Sequence, residues 1–397
     1  MSPAPISDRS PGPAASGDAC PGALRLHAAD DGGLARIRVP GGVLPVGRAR
    51  ALGAAAARFG DGVVRITSRG NVEVRGLDPA CGGAFAAALQ EAGLLPSAAH
   101  ERVRNILASP LSGLDDRGAV DVRHWLRDLD RLLCASPRTP ALSGKFLFAL
   151  DDGRGDVAAL GADVLLRGAS DGSAMLRLGA EPYALRIAYE DAARAAVSAA
   201  EEFVEAAGHD TGRGWRVAEL DAPPGELTRR VAHRLGLPVE PCSTSPITGP
   251  PSLGPVTDGS GAVRAWSVLA PFGAVSADAW AALLAAADGE LRLTPWRGVV
   301  LPGATAARRG QLARAGLATD DASPWTRVSA CVGSPGCAKS RTDVRAHAAD
   351  AVRTGELPSS GSPWYWSGCE RRCGRPKGPH TDLVAREDGT YDVRRTD

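Results

Sequence analysis

The sequence predicts an α+β fold made of two homologous halves related by a pseudo-twofold, each opening with a ferredoxin-like unit. Three observations carry that expectation: a repeated order of elements, a series of short matches between the halves, and a proline-dense stretch that separates them. Internal repetition of this kind bounds the architecture before any single element is assigned.

The clearest match is Asp61-Gly62-Val63-Val64-Arg65-Ile66-Thr67, which recurs as Asp288-Gly289-Glu290-Leu291-Arg292-Leu293-Thr294. An alanine-rich stretch precedes each copy, 48–59 and 277–287, and alanine has the highest helix propensity of all residues. Before each helix stands a strand-like run, 36–39 closed by Pro40-Gly41-Gly42 and 266–269 closed by Pro271-Phe272-Gly273. A second helix ends at Ala92-Gly93-Leu94 in one half and at Ala315-Gly316-Leu317 in the other, with glycine as the C-cap. Strand, helix, strand, strand, helix therefore occurs twice.

The correspondence runs on. Arg102-Val103 precedes Ser109-Pro110 as Arg327-Val328 precedes Ser334-Pro335. This frame sets Ile106 opposite Cys331, Ser112 opposite Cys337, and Ser143-Gly144-Lys145 opposite Ser367-Gly368-Cys369. Asp171-Gly172 and Asp388-Gly389 mark turns near the ends of the two halves. Six prolines between 237 and 261 argue against helix or central strand, so that stretch reads as a connector. The expected segments are a disordered tail 1–23, ferredoxin-like half-domains 24–98 and 262–324, an α/β domain 99–236, and a cysteine-bearing domain 325–397.

Composition narrows the function. The 397 residues carry 46 basic and 45 acidic side chains, a formal net charge of +1, so no global field points to nucleic acid or an anionic membrane. No stretch approaches the ~18 consecutive apolar residues of a membrane span. The opening lacks the apolar core of a signal peptide, so a cytoplasmic protein is expected, with reduced thiols. Of its eight cysteines, Cys20, Cys81, Cys134 and Cys242 are scattered, and four are clustered.

Those four are Cys331 and Cys337, with five residues between them, and Cys369 and Cys373, with three. Thiolate suits zinc and iron–sulfur clusters alike. Zinc knuckles favour two to four intervening residues, whereas the wider first gap suits a cubane whose four irons each take one thiolate. Gly333, Pro335 and Gly336 bar a regular helix and let backbone N–H groups turn toward cluster sulfides; Gly368 and Gly374 flank the second pair. A [4Fe–4S] cluster is the favoured reading, with zinc and unrelated thiols as alternatives.

Cys-x5-Cys followed by Cys-x3-Cys, with Gly374-Arg375-Pro376 after the last cysteine, resembles the cluster signature of the sirohaem sulfite and nitrite reductases. The resemblance spans roughly 24–393. It implies two ferredoxin-like half-domains interleaved with two sulfite/nitrite-reductase-type cluster-domain halves, and a [4Fe–4S] cluster on the four cysteines. It also implies that Cys373 bridges to an iron macrocycle where one is bound. Thr67-Ser68-Arg69-Gly70-Asn71, Arg104-Asn105 and Leu142-Ser143-Gly144-Lys145-Phe146 resemble the family's active-site segments. By that resemblance Arg69, Arg104 and Lys145 are candidate catalytic residues. Arg69, Asn71, Arg104, Lys145 and Arg297 are candidates for holding a tetrapyrrole, whose carboxylates need charge-assisted hydrogen bonds.

Two departures redirect the reading. The sulfite-binding reductases carry a second lysine two positions after the first, where this chain has Leu147. Their Cys-Pro-Asn-Gly-Cys becomes Cys369-Glu370-Arg371-Arg372-Cys373. Both fit the precorrin-3B synthase branch, which the chain also resembles in Lys145-Phe146-Leu147 running on to Asp151-Asp152-Gly153 and in the segment from Arg292 to Arg297. This implies O2-dependent hydroxylation of precorrin-3A at its C-20 meso carbon, with γ-lactone formation, in aerobic cobalamin biosynthesis. It further implies a mononuclear non-haem iron and a separate NADH-dependent electron donor. The seven histidines show no facial-triad spacing, and Gly153-Arg154-Gly155 is a turn rather than a dinucleotide fingerprint. Two other readings stay open: a sirohaem-dependent sulfite or nitrite reductase, and a non-enzymatic four-cysteine metal-binding or electron-transfer protein.

Overall fold

A computed structural model describes residues 21–208, 214–242, 248–357, 362–376 and 378–396. Most of the expected tail 1–23, with Cys20, lies outside them, as does His209.

The first half opens with β1 (His27–Ala29), β2 (Gly32–Ile37), β3 (Val43–Pro45), α1 (Val46–Phe59), β4 (Val64–Ile66), β5 (Val72–Leu77) and α2 (Gly82–Glu91). Then come β6 (Ile106–Ala108), α3 (Arg123–Ala135), β7 (Phe148–Asp151), β8 (Val164–Gly168), β9 (Ala174–Leu178), β10 (Tyr183–Ile187), α4 (Ala192–Ala207), α5 (Glu226–Leu235) and β11 (Glu240–Pro241). The second half repeats the order with β12 (Gly254–Thr257), β13 (Val263–Leu269), β14 (Ala274–Val275), α6 (Ala277–Ala286), β15 (Glu290–Leu293), β16 (Gly298–Pro302) and α7 (Arg309–Arg314). It ends with β17 (Val328–Ala330), α8 (Val344–Thr354), β18 (Trp364–Ser367), β19 (His380–Ala385) and β20 (Tyr391–Thr396).

The two ferredoxin-like sheets exchange a strand. Their orders are β1-β2-β5-β4-β14 and β12-β13-β16-β15-β3. Thus β3 of the first half pairs with β15 (Leu44 opposite Leu291), and β14 of the second pairs with β4 (Val275 opposite Val64). A left-handed pair of residues turns the chain into each exchanged strand: Gly41 and Gly42 at φ 61° and 69°, Phe272 and Gly273 at 56° and 72°. Glycine is required at the second position. A Cβ on Gly42 would stand 1.9 Å from the carbonyl oxygen of Leu293, and one on Gly273 would stand 2.6 Å from that of Ile66.

The helices of both units share one core, in which Leu44, Leu52, Phe85, Val268, Leu283 and Leu291 are buried together. Trp280 on α6 packs against Gly53 of α1 and donates its indole N–H to the carbonyl of Ala49 at 2.9 Å. Burying a side chain such as Leu44 contributes about 1.5–3 kcal/mol, so each short exchanged strand is anchored as much by its leucine or valine as by its ladder. Both second helices end in the expected glycine cap, with Leu94 N–H donating to Leu89 O and Leu317 N–H to Leu312 O.

The remaining sheets are β11-β10-β9-β8-β7-β6 and β17-β18-β19-β20. In each, three parallel strands are followed by an antiparallel partner across an Asp-Gly turn, at Asp171-Gly172 and Asp388-Gly389. Register corrects the frame read from sequence. Ile106 pairs with Phe148 as Val328 pairs with Trp364, and Ser109 N–H donates to Leu150 O as Cys331 N–H donates to Trp366 O. Ser109, not Ile106, therefore answers Cys331, and Asp151-Asp152-Gly153, not Ser143-Gly144-Lys145, answers Ser367-Gly368-Cys369. Short identities suggested one offset, but hydrogen-bond partners set another, because the loops between paired strands differ in length.

The expected connector is also more ordered than its prolines suggested. It contributes β11 and β12, both at sheet edges, with Pro255 on the exposed side where no ladder donor is needed. No helix among the described residues is long and apolar enough to cross a membrane.

Candidate cluster and substrate site

The two cysteine pairs lie on facing loops. Cys331 leaves β17 with its N–H on Trp366 O at 2.9 Å, and Gly368 N–H points to its sulfur at 3.3 Å. Arg341 N–H returns to Gly368 O at 3.0 Å. A Cβ on Gly368 would fall 1.8 Å from the Ser340 hydroxyl, so glycine there lets the loops close on each other. Cys331, Cys337 and Cys369 are partly buried and Cys373 is exposed, and none of the four is in a disulfide.

Among the described residues, no three His, Cys, Asp or Glu side chains converge as one metal ion would require. Four thiols on adjoining glycine-bearing turns are the donor set that an iron–sulfur cluster or a zinc ion takes. The two buried histidines among the described residues are engaged by protein groups. His100 bonds Ser97 and Ser136 O, while His380 bonds Gly378 O and Asp382.

The first ferredoxin-like half grips the first loop. Arg75 on β5 donates to Gly336 O at 2.9 Å and holds Asp31 through two contacts of 2.7 Å. Asp30 accepts from Ala338 N–H at 2.6 Å. The second loop is tied to its own sheet. Tyr365 donates to Cys373 O at 2.5 Å, and fully buried Asp382 meets Arg375 at 2.7 Å and Arg372 at 3.4 Å. Burial, with Cys331 and Cys373 nearby, raises the Tyr365 hydroxyl, which keeps it a donor at neutral pH.

Two guanidinium groups face this region with no carboxylate partner among the described residues. Arg345, at the start of α8, donates Nε–H to Cys331 O at 3.0 Å. Burial first, then Arg65 and Arg297, lowers it to about 10. Arg297 sits at φ 65° in the β15–β16 turn, 3.9 Å from where a Cβ on Gly374 would stand, and burial lowers it too.

The other candidates divide. Arg69 is half-buried in the β4–β5 turn. Lys145 has its ammonium 3.6 Å from the ring centroid of Trp215, a cation–π contact. Asn71 and Arg104 are buried and bond protein groups. Asn71 accepts from Val39 N–H and donates to Asn105. Arg104 pairs with Asp130 at 2.7 and 2.9 Å and donates to Leu94 O. Both are buried because they lock the first ferredoxin-like unit to the loops that follow it. Sequence reasoning missed Arg75, Trp215, Arg345 and Asp382, and only Arg345 carried a local signal, a basic residue one helical turn past a cysteine loop.

Where the second half has thiols, the first has an ion-pair knot. Arg154 bonds Asp115 through two contacts of 2.8 Å and Asp152 at 2.7 Å, and the Ser109 hydroxyl donates to Asp156 at 2.6 Å.

Comparison with known proteins agrees with this architecture. Residues 27–92 match the nitrite/sulfite reductase ferredoxin-like half domain. A precorrin-3B synthase from a Sinorhizobium species is 28% identical over 94% of this chain and 81% of its own. A ferredoxin–nitrite reductase of Synechococcus elongatus is 33% identical over 30% of this chain and 25% of its own. The structure of the Mycobacterium tuberculosis NirA protein superposes with a TM-score of 0.73 over 91% of this chain and 73% of its own, at 19% identity, which is a likeness of fold. Two ferredoxin-like units that trade strands, alternating with two sheets of matching register, give the chain the fold of the NirA protein, and residues 27–92 carry the nitrite/sulfite reductase ferredoxin-like half domain.

Proposed function

We propose that this chain is an oxidoreductase of the precorrin-3B synthase kind, acting on a tetrapyrrole rather than on a small inorganic anion. The observation that carries the reading is Leu147. It is 2% exposed and packed with Leu107, Val157 and Leu165, with its N–H on Asp163 at 2.8 Å. The position that supplies a second cation in the sulfite-binding relatives is thereby apolar and turned into a core. A polycarboxylate macrocycle needs cations at its rim, which Arg69, Lys145 and Arg297 supply in this reading. The full-length likeness to a precorrin-3B synthase supports the same conclusion.

In this proposal Cys331, Cys337, Cys369 and Cys373 hold a [4Fe–4S] cluster, which supplies single electrons delivered by a separate NADH-dependent donor. The reaction is hydroxylation of precorrin-3A at its C-20 meso carbon by O2, with γ-lactone formation. The chain's own contribution is to bind and orient the macrocycle through its carboxylates.

The test supplies iron-loaded protein with precorrin-3A, O2 and a reductant, and follows uptake of one oxygen atom by mass spectrometry. Sulfite and nitrite are run in parallel. Rapid reduction of either anion with no oxygenated tetrapyrrole would favour a sirohaem-dependent reductase, the reading that the match to ferredoxin–nitrite reductases supports.

A further inference from the structure

Arg345 carries a charge that no carboxylate among the described residues compensates. Among the described residues neither it nor Arg297 forms an ion pair with a carboxylate, although both are partly buried. The groups that face Arg345 are Cys331, whose carbonyl takes its Nε–H, the ring of Phe272 at 5.7 Å, and the like charges of Arg65, Arg75 and Arg297. Arg65 is held by Asp61, and Arg75 by Asp31 and Glu73. That leaves Arg345 as excess positive charge beside the Cys331 thiol. A buried charge persists only where a partner compensates it, and a cation packed among other cations needs an anion.

We propose that Arg345 is the counter-charge of the cluster held by the four cysteines. It is a positioning residue that sets the reduction potential of the cluster without ligating it. This rests on the cluster reading above. A thiolate-ligated cluster is anionic and gains one further negative charge when it accepts an electron from its donor. A fixed guanidinium on the Cys331 backbone stabilises the reduced form more than the oxidised one, because the Coulomb term grows with the charge it faces. Its hydrogen bond to a carbonyl, rather than to sulfur, holds it in place whether or not the thiols are metallated.

The experiment is an EPR-monitored redox titration of the iron-loaded chain, comparing wild type with Arg345→Met and Arg345→Lys. The expected result is equal iron and sulfide content in all three. The midpoint of Arg345→Met should lie below that of wild type, and that of Arg345→Lys close to it. A fully loaded Arg345→Met with an unchanged midpoint overturns the proposal. Loss of iron from Arg345→Met alone, with Arg345→Lys fully loaded, supports it, since charge is then needed to retain the anion. Thermal unfolding of the iron-free chains supplies a second readout. Without the cluster the charge is uncompensated, so Arg345→Met should unfold at the same temperature as wild type or higher. A lower unfolding temperature would make Arg345 merely structural and overturn the proposal. Absence of iron and sulfide from wild type itself would instead sink the cluster reading, so the two failures are told apart.

Discussion

Arg75 donates to the carbonyl of Gly336, a residue 261 positions further along the chain and directly before Cys337. With Asp30 accepting from Ala338 N–H, it makes the first ferredoxin-like half part of the frame that holds the first cysteine loop. Replacing Arg75 with Met leaves the Asp31 carboxylate and the Gly336 carbonyl without their donor. A loss of roughly 1.5–3 kcal/mol is expected, the range for hydrogen bonds to charged groups. Urea unfolding measures it, and iron content should fall in parallel. Full stability and full iron in Arg75→Met would show that the second half holds its own loop.

Arg69 and Arg104 should respond differently to truncation. Arg104 is 3% exposed and fully engaged, so Arg104→Ala strands the Asp130 carboxylate and should cost stability, about 2–4 kcal/mol by analogy with broken buried pairs. Arg69→Ala should change the unfolding midpoint little while weakening tetrapyrrole binding by roughly 1.5–3 kcal/mol. Titration calorimetry beside thermal unfolding separates the two, and equal binding by Arg69→Ala and wild type would remove Arg69 from the site.

Leu147 cannot simply revert to a cation. A lysine there would bring an ammonium into the cluster of Leu107, Val157 and Leu165, so Leu147→Lys should unfold well below wild type and gain no sulfite or nitrite reduction. Leu147→Ala isolates the packing part and should cost about 2–5 kcal/mol. A stable Leu147→Lys that reduces either anion would contradict the proposed function directly.

The ion-pair knot gives the first half a pH signature. Burial raises the Asp156 carboxyl to about 7, with Asp151 and Asp152 adding to the effect and the Ser109 hydroxyl and Arg154 opposing it. The folded state then holds a proton that the unfolded chain releases near pH 4. Stability from this group is fully present below that pH and declines as pH rises toward 7, by an amount on the order of 2–4 kcal/mol. Asp156→Asn, which keeps shape without titrating, should flatten the fall in unfolding midpoint between pH 4 and 7. An identical pH profile in the variant would show that Asp156 ionises freely.

Much of this was legible because it is local. Repeated DG turns, alanine-rich helices and glycine caps advertise a duplication in any window long enough to hold them, and clustered cysteines advertise a thiol site. What stayed hidden depends on pairing between distant strands. That Ser109 stands where Cys331 does follows from ladder register alone. The protein partners of Asn71 and Arg104 come from segments whose approach no local pattern encodes. Asp382 gave no sign in sequence, since β19 reaches the second cysteine loop only through sheet order.

The reciprocal exchange of β3 and β14 also bears on how the protein is made. As the nascent chain leaves the ribosome, β4 is translated some two hundred residues before the strand that covers its edge, Ala274–Val275. Until then the first sheet presents an open flank, and β3 projects with no sheet to join. Exposed strand edges of this sort recruit other chains, so translation pauses or truncations between the halves should yield aggregates rather than a folded N-terminal fragment. Maturation of the first unit is thus tied to completion of the second.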